Sequence, residues 1–116
     1  MNWDAIETKF SLHDPETGFA FQSREGNVVV SFRDWQNRQI TIDFIDVAKF
    51  SYSWLSPYPG IADQGFYVAD LSNYVDLLTE TTLIGKEQKL HHYLIANNED
   101  EWCEVVAETC NIQIET

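Results

Sequence analysis

The chain has 116 residues, 44% apolar and 14% aromatic, with 19 acidic against 7 basic side chains and a formal net charge of −12. That length holds one domain around one core, and the apolar content excludes a disordered chain. The charge argues against direct nucleic-acid binding, which needs Lys and Arg for the phosphates, and suits a basic protein partner instead. No apolar run approaches the roughly 18 residues of a membrane span. The opening "MNWDAIETKF" lacks the basic start and apolar stretch of a secretory signal. A cytoplasmic protein with reduced cysteines and no membrane contact is expected.

In chain order, Trp3, Ile6 and Phe10 fit one face of a short helix. "FAF" then leads to the turn residue Gly26, and "NVVVSFR" sets Val28, Val30 and Phe32 on one face. After a polar "DWQNR", "QITIDFI" places Ile40, Ile42 and Phe44 opposite Thr41 and Asp43. "AKFSYSW" sets Phe50, Tyr52 and Trp54 against Lys49, Ser51 and Ser53, which predicts Trp54 in the core. Period-two patterns with short polar connections predict a meander of about four antiparallel strands between residues 17 and 55.

"SPYPG" carries two prolines and a glycine and ends this sheet, with Tyr58 expected near the tip of an irregular loop. "FYVAD" is a short strand. In "LSNYVDLLTE" Ser72 can cap a helix near 73–80 that carries Tyr74, Leu77 and Leu78 at helical spacing. "LHHYLIA" is again a strand, so His91 and His92 point to opposite faces. Beyond "NNED" two readings are self-consistent. A helix would start at Asn98 with Glu101 completing a capping box; a hairpin would make 102–109 a strand. The short connection and the β-prone "NIQI" lean to the hairpin. The expected fold is α+β, mostly β: a single domain with an antiparallel meander of about six to seven strands and one or two short helices.

Chemistry is sparse. Cys103 and Cys110 are seven apart, two turns of a helix or opposite faces of a strand, and neither placement makes a close metal-binding pair. Small buried apolar roles are expected for both, and no metal or cofactor is implied. His13-Asp14 before Pro15 resembles an acid–base pair, but an Asx turn is the commoner use of such a dipeptide. A hydrolase would need His13 or His92 to meet Asp43 or Asp46.

Residues 90–116 carry six acids and no Lys or Arg. The leading expectation is therefore a non-enzymatic interaction module. Glu99, Asp100, Glu101, Glu104 and Glu108 would meet a basic partner, with Trp102 at the centre and Tyr58 as an exposed anchor. The alternative is a small-molecule-binding β domain with a pocket lined by Tyr52, Trp54, Tyr67 and His92. An exposed strand edge would also allow a homodimer.

The stretches "VVVSFRDWQNRQITIDFIDVAKF" and "HHYLIANNEDEWCEVVAETCNIQI" resemble a loose group of small, acidic, uncharacterised bacterial proteins. Some of these act as immunity proteins for polymorphic toxins. The matching pieces are the strand end Phe44 to Val47, the strand His92 to Ile95, and Glu104 to Ala107 after an acidic turn. What this resemblance implies is a non-enzymatic binding role, which the acidic surface suits independently, with a basic toxin as one candidate partner. It assigns no residue a role.

Overall fold

The computed structural model describes residues 3–54, 58, 61, 64–69 and 90–116. Seven strands form one antiparallel sheet: β1 (Trp3–Ala5), β2 (Ala20–Arg24), β3 (Asn27–Arg33), β4 (Gln39–Ser53), β5 (Gly65–Ala69), β6 (His91–Ala96) and β7 (Trp102–Glu115). Their order across the sheet is β1-β5-β6-β7-β4-β3-β2. Two three-stranded meanders, β2-β3-β4 and β5-β6-β7, thus meet along their longest strands, which pair from Gln39↔Glu115 to Ser53↔Trp102. The hairpin reading of the segment after "NNED" holds.

Other expectations change. The N-terminal helix does not form: Trp3–Ala5 pairs with β5, and the Ile6 amide donates to the Phe66 carbonyl at 2.8 Å. Trp3 then packs with Tyr58 on the outer face, while Phe10 enters the core. Among the described residues there is no helix. The helix expected near 73–80 lies outside them.

The predicted break between "QITIDFI" and "AKFSYSW" is a bulge inside one 15-residue strand, so the first meander has three strands rather than four. Asp46 adopts φ 52°, and the register shifts between Val47 and Lys49. The extra residue changes the period locally. Phe44, Val47 and Phe50, three apart, all turn to the same core, and Ala107 and Cys110 do so on β7. The β2–β3 turn locks the bulge in place. Glu25 (φ 45°) and Gly26 (φ 87°) make the two-residue hairpin loop, and the Gly26 carbonyl accepts from Val47 N at 2.8 Å.

This bend folds the sheet on itself. Phe21 is in register with Val30 and, through it, with Ile42. On a flat sheet Ile42 and Phe50 would lie about 26 Å apart along β4. Yet the Phe21 ring meets both Phe50 and Tyr52 at 5.1 Å between centroids. β4 and β7 therefore run through both halves, a corner made by bulged strands. Between the halves lie Val30, Phe32, Ile40, Ile42, Phe44, Ile95 and Val105, all essentially inaccessible to solvent. The segment ahead of β2 closes the Phe32 end with Phe10 and Phe19, each edge-on to that ring. Burying such side chains drives the fold, at about 1.5–3 kcal/mol each.

Candidate functional site

The acidic β6–β7 turn is held from within. Glu101 is buried; its carboxylate accepts from Phe19 N (3.2 and 3.3 Å), Asn97 Nδ2 (2.9 Å) and Tyr52 OH (2.7 Å). Burial and the Glu101 carboxylate together push the Tyr52 phenol up to about 12. A Cβ at Gly18 would fall 2.8 Å from Glu101 Oε1, so only glycine lets the chain pass so close. Asn97 Oδ1 in turn accepts from the amides of Glu99 (3.0 Å) and Glu101 (3.3 Å). Glu101 is thus the knot tying the N-terminal segment to the turn.

Its neighbours diverge. Trp102 is buried with Leu94 and Ala96 on the outer face of the second half, packed by Trp3, Tyr58, Ile61 and Tyr67. Glu104 lies on this face too. It accepts from His92 Nε2 at 2.8 Å and from the Tyr58 hydroxyl. Burial pushes the Glu104 carboxyl up, but the hydrogen bonds from His92 and Tyr58, helped by His92 and Lys49 charge, hold it below the usual carboxylate range. Tyr58, expected as an exposed anchor, is half-buried. Of the seven residues expected to meet a partner, only Glu99, Asp100 and Glu108 are exposed.

The four side chains of the alternative pocket do not converge. Tyr52 faces inward to Glu101, and Trp54, 64% exposed instead of core, leans on Tyr52. Tyr67 belongs with the outer cluster. His92 sits there against Trp3, ring centroids 5.0 Å apart. For the hydrolase reading, the carboxylate that His92 meets is Glu104 and the one that His13 meets is Asp14, instead of Asp43 or Asp46. Cys103 and Cys110 turn to one core despite their odd spacing, because the bend shifts the period. Both are free thiols, and burial raises both pKa values. Among the described residues no His, Cys, Asp or Glu cluster could hold a metal ion, and no helix is long and apolar enough to cross a membrane.

A surface that sequence reasoning missed lies at the β3–β4 turn. Asp34 is fully buried and accepts from Gln36 N (3.1 Å), Arg38 N (2.9 Å) and Arg38 Nε (2.8 Å). The Arg38 guanidinium also pairs with it at 2.7 Å. Burial pushes its carboxyl up, and the hydrogen bonds and charge of Arg38 outweigh that and leave it lowered. On this rigid turn stands Trp35, 55% exposed. Trp35 lines a small cleft of about 190 Å³ with Ser11, His13 and Asp14.

Asp14 joins that cleft to the acidic turn. Asp14 N donates to Asn98 Oδ1 and Asn98 Nδ2 to Asp14 Oδ1, both at 2.8 Å. His13 contacts Asp14 Oδ2 at 3.2 Å and Gln64 Oε1 at 3.0 Å. The pair is thus a clasp between segments, not the local Asx turn expected. Glu99 and Asp100 follow Asn98 directly and are exposed. Glu16 N, bonded to the Arg33 carbonyl at 2.9 Å, brings a fourth carboxylate beside the β3–β4 turn. Three cations lie nearby: Arg38 pairs with Asp34, Arg33 donates to the Asn37 carbonyl at 3.0 Å, and exposed Lys9 offers its own carbonyl to Arg38 at 3.2 Å. No family model, curated protein or solved structure matches the chain. What the geometry shows is an exposed indole on a fixed mount, with Asp14 beside it in the cleft.

Proposed function

We propose that the protein is a non-enzymatic interaction module that binds a basic protein partner, as an immunity-like inhibitor would. Its docking surface is centred on Trp35 and rimmed by Asp14, Glu16, Glu99 and Asp100. The observation that carries this is the exposed Trp35 on a turn over-determined by buried Asp34. Exposing an indole has a cost in water, and fixing it in advance lowers the ordering entropy lost on binding. Tryptophan is the residue type most often found at the energetic centre of an interface. The surrounding carboxylates supply the long-range attraction, consistent with a net charge of −12.

The test is affinity capture with the full chain from the cells that make it. Wild type, Trp35→Ala and a Glu99→Lys/Asp100→Lys double variant would be compared at low and high salt. A basic protein retained by wild type at low salt, and lost from both variants, is the expected result. Equal retention by all three proteins would overturn the assignment.

A further inference from the structure

β7 outruns one of its two neighbours. β6 pairs with it only from Trp102 to Ala107, whereas β4 stays beside it to Glu115. Which backbone groups face the side that β6 leaves follows from the hairpin at Gly26. A two-residue loop makes Arg24 and Asn27 exchange both their hydrogen bonds, and from there the direction alternates along each strand. Carried through the registers, Asp43 bonds Asn111 and Thr41 bonds Gln113, so the amides and carbonyls of Cys110, Ile112 and Ile114 point away from β4. Two contacts agree with this phase. The Arg33 carbonyl accepts from Glu16 N on the β2 side, and the Glu108 carbonyl accepts from His91 Nδ1 at 2.8 Å on the β6 side. Past Glu108, no group among the described residues bonds these outward amides and carbonyls.

The side chains add to the exposure. Residues 109–114, T-C-N-I-Q-I, have no charge, proline or glycine, although the chain carries a net −12. Sheet edges left to solvent are ordinarily guarded by lysine, proline or a bulge, and this edge has none of them. Ile112 stands opposite fully buried Ile42 and yet is 38% exposed. Cys110 and Ile114 flank it on the same, core-facing side and are partly buried.

We propose that this edge pairs antiparallel with the same edge of a second copy of the chain, about a two-fold axis through Ile112. Ile112 then faces its own counterpart, and Cys110 faces Ile114 of the second copy. Each facing pair exchanges two backbone hydrogen bonds. Apolar side chains meet on the core-facing side, and Asn111 meets Gln113 on the other. No carboxylate opposes another, since Glu115 faces Thr109. Two acidic chains can therefore meet here without repulsion, while a basic partner would find no carboxylate on residues 109–114. Such a self-complementary contact closes at two copies. It shares no residue with the Trp35 surface, so either assignment can fail alone.

The test is sedimentation equilibrium of the full chain over a range of concentrations, with amide exchange read on the ¹⁵N-labelled protein at both ends of that range. The mass should rise toward that of a dimer. Exchange at Cys110, Ile112 and Ile114 should slow about tenfold as concentration rises, while Asn111 and Gln113, already bonded to β4, stay constant. Ile112→Pro removes only an outward amide, keeps the β4 ladder, and should weaken association about tenfold or more. Ile112→Lys and Ile112→Glu each set like charges opposite one another and should weaken it similarly; mixed in equal amounts, the two should associate more tightly than either alone. The wild-type exchange pattern needs no variant, so it decides the matter even if a substituted chain misfolds. A chain monomeric up to about 1 mM would overturn the proposal. So would protection appearing at β2 instead of at these three amides, undiminished association of folded Ile112→Pro, or no gain on mixing.

Discussion

Replacing Glu101 by alanine should strongly destabilise the fold, although its place in an acidic run reads as solvent-facing charge. The substitution orphans three donors at once: Phe19 N, Asn97 Nδ2 and Tyr52 OH. Each buried donor left unpaired costs about 1–3 kcal/mol, part of it recovered by water entering the gap. A net loss of about 3–5 kcal/mol follows, similar to breaking a buried charged pair. Against a total stability of about 6–17 kcal/mol for a domain of this length, that is a large share. Glu101→Gln keeps one acceptor oxygen and should lose only about 1–2 kcal/mol. Urea unfolding followed by tryptophan fluorescence would read both. With a slope of about 1–3 kcal/mol/M, the alanine midpoint should fall by about 2 M. A loss below 1 kcal/mol for Glu101→Ala, or equal losses for the two variants, would refute the clamp.

Trp35→Ala should change stability by less than about 0.5 kcal/mol in the same assay, since a mostly exposed side chain contributes little to the core. Asp34 has a lowered folded pKa, so its contribution is present above the unfolded carboxyl value and is lost as pH falls through the folded one. Asp34→Asn should therefore flatten the fall in stability below about pH 4, measured by urea unfolding across pH 3–7. Gly26→Val should destabilise by about 1–2 kcal/mol through backbone strain alone, because φ is 87° and no atom lies within 4 Å of the added Cβ. Cys103, buried with its pKa raised, should resist a thiol reagent until the chain unfolds, while half-buried Cys110 reacts sooner.

Alternation along "NVVVSFR" and "QITIDFI" is enough to predict their strands and inward faces, because each packs one face against a single core; "LHHYLIA" reads as a strand, but it is buried on both faces. Where a strand serves two layers, period two fails. The bend near Asp46 carries no proline and no glycine of its own; it depends on Gly26 from a neighbouring hairpin, which no local pattern reveals. The same bend brings both cysteines to one side. Burial of the four tryptophans was poorly legible for a related reason. Trp54 follows a clean alternating run but lies beyond the last pairing, at Ser53, whereas Trp102 begins a strand and is covered. Trp35 sits in a polar string, "DWQNR". Its hint was Asp34 with Arg38 four residues later, a spacing that can close a turn by an ion pair. Glu101 was misassigned because a carboxylate in an acidic run looks like solvent-facing charge. Gly18, far away in sequence, is what admits it to the interior.

The rate at which a captured basic partner associates with this chain, measured by stopped flow at several ionic strengths, bears most directly on the acidic, Trp35-centred surface. Wild-type association should slow at least tenfold between about 20 and 500 mM salt, as screening shortens the reach of exposed charge. The Glu99→Lys/Asp100→Lys chain should be slow and nearly salt-independent, and Trp35→Ala should dissociate faster with its association rate little changed. Association indifferent to salt, or unaltered by either change, would contradict the account.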